Sequence, residues 1–233
     1  MNFGVPSDSS NTEPNKRNHM KRRDFSLQLA AAGLGTVWAG SAAAQGGPVE
    51  GTHYTKLSQP VAVTAPAGKI EVIEFFWYSC PHCNAFEPTL EPWIRKLPPD
   101  VAFRRVPVAF RDDFVPQQRL FYTLDALGKV DEMQAKVFNA IHTQHQSIDK
   151  EATIVAWAEK NGIDKARFLE LYNSFSVQTK ARRATQLQDQ YKVQGVPAIG
   201  IAGRFYTDGS MAGNMDRALQ VTEYLVAEIR RGR

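Results

Sequence analysis

The apolar positions between residues 70 and 110 change their spacing twice. A β-rich run over Ile70–Phe76 stops at a Ser-Cys-Pro turn, and Val101–Phe110 later returns to a strand pattern. Between them the apolar residues recur at the three- and four-residue intervals of a helix: Phe86, Leu90, Trp93, Ile94 and Leu97. This order predicts a βαβ unit with parallel strands and a right-handed crossover. Pro88 and Pro92 are expected to kink the helix or divide it into pieces.

The pattern from residue 113 to residue 190 is helical. Asp164 is expected to cap one helix of this block, and Val177–Tyr191 predicts another. Before them lie three apolar stripes, each of which stops at or near a breaker and is interpreted as core packing rather than as a cofactor site. The stripes are Leu120, Leu124 and Leu127; Val130, Val137, Phe138 and Ile141; and Ile154, Val155, Trp157 and Ala158.

The strand pattern returns after Gly195-Val196-Pro197. Ala198–Ile201 predicts a short strand, Gly203 a turn, and Arg204–Tyr206 the second strand of a hairpin. Asn214 is expected to cap a last helix. The predicted order of elements is therefore βαβ, a helical block, and ββα.

The first 44 residues predict an N-terminal extension that contains an export signal. A basic cluster, Lys21-Arg22-Arg23, precedes the uncharged, Ala/Gly-rich stretch Leu27–Ala44, and the small residues at its end predict cleavage after Ala44. An uncleaved membrane anchor is the alternative, because this stretch approaches the length of about 20 residues that spans a bilayer. The paired arginines resemble a twin-arginine signal, and the choice between that route and general secretion stays open.

Composition narrows the class of protein. The chain has 233 residues, of which 43% are hydrophobic and 22% charged, as in ordinary globular proteins. The chain has 28 basic and 24 acidic residues, of which five basic and three acidic ones lie in positions 1–44. The remaining 23 basic and 21 acidic residues are nearly balanced, so the charge does not indicate a nucleic-acid-binding surface. Two cysteines, Cys80 and Cys83, are too few for a disulfide scaffold or a four-cysteine zinc site.

The two cysteines lie in the sequence Cys80-Pro81-His82-Cys83, and three interpretations are open. A structural disulfide would close so short a loop that it would stabilise the fold by only about 2 kcal/mol. A zinc site would need two more ligands, for which His142 and His145 have a usable spacing, but no predicted element brings them to the cysteines. A redox site needs only a thiolate, a second thiol to resolve it, and a local field that favours the thiolate.

The predicted turn supplies such a field. Cys80 falls at or just before the first helical residue, where unpaired N–H groups and the helix dipole favour an anion. Pro81 suits the first helical position, and a protonated His82 would add positive charge beside the sulfur. A stabilised thiolate stabilises the reduced state, so the disulfide is expected to be a strong oxidant.

These residues together resemble the DsbA family of periplasmic thiol:disulfide interchange proteins. The resemblance rests on the strand ending in Glu74-Phe75-Phe76, the Cys-Pro-His-Cys sequence, the helical block and the later Gly195-Val196-Pro197, and it covers essentially all of residues 45–233. It implies an α/β class, with a thioredoxin-like fold and an inserted helical domain. The two parts of the thioredoxin-like domain would be residues 45–112 and 191–233, and the helical insertion residues 113–190.

The resemblance also implies roles for individual residues. Cys80 matches the exposed nucleophile and Cys83 its buried partner, while Pro197 matches a cis-proline that follows Val196, whose backbone would pair with an extended substrate. Glu74 matches a carboxylate that lies beneath the active site and helps move the proton of the buried thiol.

The surroundings of that carboxylate can be examined from the strand pattern. Glu71 and Glu74 are an odd number of positions apart and point to opposite faces, so one of them should be buried in a sheet covered on both sides. The resemblance implies a basic partner for Glu74, and Arg105 occupies the position where the family often has lysine. Whether Arg105 pairs with Glu74 stays open at this point. The alternative is that Glu74 is a surface carboxylate at a strand end.

The implied function is donation of the Cys80–Cys83 disulfide to reduced, unfolded proteins in the periplasm. Reoxidation would come from a membrane quinone reductase of DsbB type, with no bound cofactor, no metal and no nucleic acid, and the protein is expected to act as a monomer. A disulfide isomerase or reductase is the competing enzyme hypothesis, and a non-catalytic chaperone or peptide-binding module is the hypothesis from another class.

Overall fold

The computed structural model describes residues 47–232. The export signal predicted over residues 1–44, with its cleavage after Ala44, lies outside the described residues, as does the alternative membrane anchor. Within residues 47–232 no helix is long and apolar enough to cross a bilayer.

One mixed sheet organises the fold. Its strands lie in the order β1-β5-β4-β2-β3, with β2 and β3 parallel and the other neighbours antiparallel. The parallel pair is the predicted βαβ unit, and Ile70 lies opposite Val101. The strands are β1 (Thr55–Lys56), β2 (Ile70–Phe76), β3 (Val101–Pro107), β4 (Ala198–Ile201) and β5 (Phe205–Asp208).

Eight helices and one short 3₁₀ turn accompany this sheet within residues 47–232. The side chains of Asp164 and Asn214 accept hydrogen bonds from the N–H groups of Arg167 and Arg217, so both predicted helix caps are confirmed. The helices are α1 (Pro81–Ile94), α2 (Val115–Ala126), α3 (Val130–His142), α4 (Glu151–Lys160), α5 (Lys165–Tyr172), α6 (Phe175–Gln190), α7 (Gly209–Ala212) and α8 (Met215–Arg230), and the 3₁₀ turn is Asp112–Phe114.

The helical insertion lies where the pattern predicted it. Helices α2 to α6 all come between β3 and β4, so the order βαβ, helical block, ββα is confirmed. The residue boundaries given for the two parts of the thioredoxin-like domain stay predictions. A hydrophobic cluster joins the insertion to the end of the sheet, and Phe76, Tyr78, Cys80 and Cys83 belong to it. The two cysteines therefore lie where the sheet meets the helical block.

Several predicted elements are corrected. α1 is one helix that contains both Pro88 and Pro92, so the prolines do not divide it; the kink expected as the other outcome stays a prediction. Each proline removes one backbone N–H donor, but Pro88 is exposed, where water can satisfy a released carbonyl. β3 ends at Pro107 rather than at Phe110. The hairpin partner predicted as Arg204–Tyr206 is the later strand β5.

Three short elements were not predicted. The strand β1 has two residues, the 3₁₀ turn has three and the helix α7 has four, so none of them is long enough to show a period of apolar residues.

Candidate active site

The turn between β2 and α1 places Cys80 at the amino end of the helix. Cys80 is the N-cap residue, with extended backbone angles, and its N–H donates to the carbonyl of Trp77 at 3.0 Å. Pro81 is the first helical residue. The free N–H groups of the first turn therefore lie close to the Cys80 sulfur.

The two cysteines differ in exposure. Both are free thiols, so the geometry is that of the dithiol form. Cys80 is 7% exposed and Cys83 is 0% exposed, which leaves Cys80 as the sulfur that a second protein can reach. The Cys80 Sγ lies 3.3 Å from the carbonyl oxygen of Val196.

The pKa values of the two thiols are shifted in opposite directions from that of an ordinary cysteine. A hydrogen bond from the Cys83 side chain lowers the pKa of Cys80 to about 6, although burial of Cys80 opposes this effect. The backbone N–H groups of Cys83 and His82 lower it further, and the charge of His82 adds a smaller contribution. Burial raises the pKa of Cys83 far above its ordinary value. The helix terminus and His82 were predicted to act on Cys80, but the largest contribution, from Cys83, was not.

The loop before β4 faces the active-site cysteine. The peptide bond between Val196 and Pro197 is cis. Gly195 is exposed and Val196 is half-buried, so backbone beside the Cys80 sulfur is open to solvent. An extended chain could therefore pair with this loop next to the sulfur.

Glu74 and Glu71 of β2 are both buried, whereas only one was expected to be. Each has an arginine from β3: Arg105 donates to Glu74 at 3.0 Å and Arg104 donates to Glu71 at 3.1 Å. In the parallel register Glu74 lies directly opposite Arg105, whereas Glu71 lies opposite Ala102 and binds Arg104, two residues further along β3 on the same face. Each carboxylate is paired with an arginine on its own face of the sheet, so neither needs to reach water. The alternative of a surface carboxylate at position 74 is wrong.

Arg105 is shared by three carboxylates, two of which were not predicted. Its Nη2 lies 3.2 Å from Glu87 and 2.6 Å from Glu91, in addition to the Glu74 contact. Glu87 is also within 3.5 Å of the amide of Gln134. Helical spacing could have found Glu87, since it lies four residues after Cys83 on α1 and thus on the same face.

One guanidinium cannot neutralise three carboxylates. Burial raises the pKa of Glu74 to about 8, and repulsion from Glu87 adds to this effect while Arg105 opposes it. Burial also raises the pKa of Glu87. The Oε1 atom of Glu74 is buried and has no hydrogen-bond partner within the described residues, which favours a neutral carboxyl. Glu74 therefore holds a proton near neutral pH, beneath the buried thiol.

Two side chains of the helical block hold the turn that carries Cys80. Gln117 donates to the Ser79 hydroxyl at 2.7 Å, and a ring nitrogen of His142 lies 2.8 Å from the carbonyl oxygen of Tyr78. Neither contact was predicted, because both join residues far apart in the chain. His142 does approach the cysteine turn, but within residues 47–232 no group of three or more His, Cys, Asp or Glu side chains is placed to hold a metal ion.

Comparison with known proteins identifies the class of this site. Residues 71–220 match the model of the DSBA-like thioredoxin domain. The thiol:disulfide interchange protein DsbA of Burkholderia cepacia is 40% identical over 205 residues, which cover 88% of this chain and 93% of that protein. The chain belongs to the DsbA family. DsbA of Bordetella pertussis is also 40% identical, over 215 residues that cover 91% of this chain and 100% of that protein.

Solved structures agree with this assignment. The crystal structure of Pseudomonas aeruginosa DsbA superimposes with a TM-score of 0.75 at 39% identity and covers 78% of this chain and 94% of that one. DsbA from Xylella fastidiosa gives a TM-score of 0.73 at 30% identity and covers 79% of this chain and 98% of that one. This DsbA-family chain is a thiol:disulfide oxidoreductase with a thioredoxin-like fold and a helical insertion, as the sequence predicted.

The acidity of Cys80 can be measured by alkylation. In this DsbA-family chain, the rate of Cys80 modification by iodoacetamide should rise with pH around a midpoint of about 6, because the thiolate is the reactive form. Cys83→Ala should raise that midpoint by roughly one to two pH units, since it removes the largest stabilising hydrogen bond. His82→Ala is the comparison and should raise it less. A wild-type midpoint near the free cysteine value of about 8.5 would contradict the assignment.

The proton held by Glu74 should appear in the pH dependence of stability. A carboxyl whose pKa is raised by folding, here from 4.5 to about 8, contributes stability that is complete below pH 4.5 and is lost as pH rises toward 8. Relative to the wild type, Glu74→Gln should be nearly neutral at pH 5 and should raise the free energy of unfolding by roughly 3 to 5 kcal/mol at pH 8. Urea denaturation of the reduced protein at both pH values measures this difference.

Glu71→Gln is the matched control, because it alters the same strand with the opposite expected sign. Although burial opposes it, hydrogen bonding from Arg104 and Thr64 lowers the pKa of Glu71, so this carboxylate stabilises the fold above the ordinary glutamate pKa and loses that effect in acid. Glu71→Gln should therefore destabilise the protein at pH 8. If both variants shift stability in the same direction at pH 8, the proton does not reside on Glu74.

Proposed function

We propose that this chain donates its Cys80–Cys83 disulfide to reduced, unfolded proteins in the periplasm. The observation that carries the proposal is the difference between the two thiols: the accessible one has a lowered pKa and the buried one a raised pKa. A sulfur that is stable as a thiolate is a good leaving group, so a disulfide to Cys80 passes readily to another thiol.

The reaction proceeds in two exchanges. A substrate thiolate attacks the Cys80 sulfur, a new disulfide forms between them, and the bond to Cys83 breaks. The Cys83 sulfur leaves with the electron pair and takes up a proton, because its buried site disfavours the thiolate. A second substrate thiolate then attacks the substrate sulfur, and Cys80 leaves as a stabilised thiolate. The substrate gains a disulfide and loses two electrons, which reduce the Cys80–Cys83 pair.

Neighbouring residues support these exchanges. Glu74, neutral near pH 7, is the proposed source of the proton for Cys83. Pro81 permits the helix to begin directly after Cys80, and His82 adds positive charge near the thiolate. The backbone of Val196 pairs with the extended substrate, while Pro197 has no N–H with which to compete.

The catalytic cycle takes place in the periplasm, where the protein acts as a monomer after cleavage of its N-terminal signal. A membrane quinone reductase of DsbB type accepts two electrons from the dithiol and restores the disulfide. Membranes that contain such a reductase should reoxidise the reduced protein, and membranes without it should not.

The equilibrium with glutathione tests the central claim. In a glutathione buffer poised near about −180 mV, the Cys80–Cys83 pair should be mostly reduced, because its dithiol form contains a stabilised thiolate. Thiol trapping followed by mass spectrometry measures the reduced fraction. A pair that stays oxidised until roughly −300 mV would be a structural disulfide, and the proposal would be wrong.

A further inference from the structure

The strand β3 is an edge of the sheet. Its one neighbour in the sheet is β2. Hydrogen bonds at both ends of the pair show which residues of β3 turn their backbone groups toward β2: Ile70 N–H donates to the carbonyl of Asp100, and Val108 N–H donates to the carbonyl of Phe76. In a parallel pair such bonds recur at every second residue. The backbone groups of residues 102, 104 and 106 therefore face β2, and those of Phe103 and Arg105 face away from it.

These outward groups have no backbone partner in the part of the chain that the structure describes. Val101 N–H, by contrast, donates to the carbonyl of Pro98 at 3.0 Å, so the free stretch begins after it. Pro107 has no N–H, so the free stretch ends there. A short row of N–H and C=O groups at Phe103 and Arg105 is thus open to pairing, as at any uncovered edge strand.

A groove of about 1070 Å³ runs along this edge. Phe103 and Arg105 are among the residues that line it. One wall comes from Ile94, at the end of α1, and from Leu97 after it, which belong with Phe103 to the hydrophobic cluster on one face of the sheet. The other wall comes from Leu187 of α6, on the opposite face. A strand edge between two apolar walls fits an extended chain, whose alternate side chains point to opposite sides.

The charges of the groove favour an acidic occupant. Of its cationic side chains, Lys69 and Arg183 are in no ion pair within residues 47–232. Arg104 pairs with Glu71 and Lys180 with Asp125. Arg105 faces three carboxylates, but Glu74 is neutral near pH 7 and Glu91 also pairs with Arg95, so the two arginines balance Glu87 and Glu91. Asp131 is the remaining carboxylate of the lining. Two uncompensated cations against one carboxylate complement a peptide that carries acidic residues.

We propose that this groove binds an extended polypeptide segment of alternating apolar and acidic residues, which adds to the sheet as a strand beside β3. The site is separate from the cysteine pair: Val196 precedes β4, which lies on the other side of β2 from β3. Both places can therefore be occupied at once. This inference does not depend on the thiol chemistry.

Backbone amide exchange tests the proposal directly. The probe is an acetylated and amidated octapeptide of alternating valine and glutamate, without cysteine, added to the reduced wild-type protein. The amides of Phe103 and Arg105 should become protected from hydrogen exchange, with a dissociation constant of about 1 mM or tighter. Arg183→Glu should weaken binding by about fivefold or more, because it replaces an attraction with a repulsion.

Matched controls decide the outcome. Arg182→Glu changes the adjacent residue of α6, which does not line the groove, and should alter binding by less than about twofold. An octapeptide of alternating valine and lysine should bind more weakly than the acidic one. The proposal is overturned if Phe103 and Arg105 stay unprotected, if protection appears at Val196 instead, or if the lysine peptide binds equally well. Protection that depends on protein concentration without peptide would assign the edge to a second copy and also overturn it.

Discussion

Cys80→Ser should reduce disulfide donation to the uncatalysed rate, and Cys83→Ser should trap the intermediate. Without Cys80, no accessible thiol remains, because Cys83 is fully buried. When Cys83→Ser is first converted to a Cys80–glutathione disulfide, a reduced substrate with a single cysteine displaces glutathione, and its disulfide to Cys80 should accumulate because neither Cys83 nor a second substrate thiol can attack it. Oxidation of a reduced, unfolded protein, followed by non-reducing electrophoresis and mass spectrometry, measures both results.

The two serine variants control for one another. Each removes one sulfur from the same helical turn, and both should retain the wild-type fold by circular dichroism. A Cys80→Ser protein that still promotes folding at the wild-type rate would indicate a peptide-binding module rather than an oxidoreductase. A mixed disulfide found on Cys83 instead of Cys80 would reverse the assigned roles.

Arg105→Met should be the most destabilising single change near the active site, at roughly 3 to 5 kcal/mol near pH 8. Its side chain is 9% exposed and holds Glu74, Glu87 and Glu91, so its removal leaves buried carboxylates without a cation. The folded-state pKa values of Glu74 and Glu87, already raised, should rise further. The loss of stability should therefore be smaller at pH 5, where these groups can be protonated.

Arg95→Met is the control for this prediction. Arg95 also pairs with Glu91, at 3.5 Å, but it is an exposed residue of the helix surface, so its loss should cost less than about 0.5 kcal/mol. Chemical denaturation of both variants at pH 5 and pH 8 provides the comparison. Equal effects of the two substitutions, or a larger loss at pH 5 than at pH 8 for Arg105→Met, would show that Arg105 does not neutralise buried charge.

Predictions from local sequence succeeded where a few neighbouring residues determine the structure. The caps at Asp164 and Asn214 bond to N–H groups three residues away, within one turn of helix. Cys80 lies at the end of a strand and is followed by Pro81 at the first helical position, so the helix terminus acts on its sulfur whatever the rest of the chain does. The parallel βαβ unit follows from the length and order of three adjacent segments.

Predictions failed where distant segments decide the environment of a side chain. Only one of Glu71 and Glu74 was expected to be buried, yet both are, because β3 supplies each with an arginine: Arg105 lies opposite Glu74, and Arg104 reaches Glu71 from two residues further along the strand. Two further features were not predicted and join residues far apart in the chain: the sharing of Arg105 among three carboxylates, and the support of the cysteine turn by Gln117 and His142.

The sequence by itself determined the class of fold, the reactive cysteine and the sign of its acidity, because the period of apolar residues and the end of a helix are local properties. Tertiary structure alone decided how strongly burial opposes the fall of the Cys80 pKa, where a proton is stored beneath Cys83, and that β3 is left as an open edge. Burial and charge pairing set these properties, and both depend on which strands and helices meet.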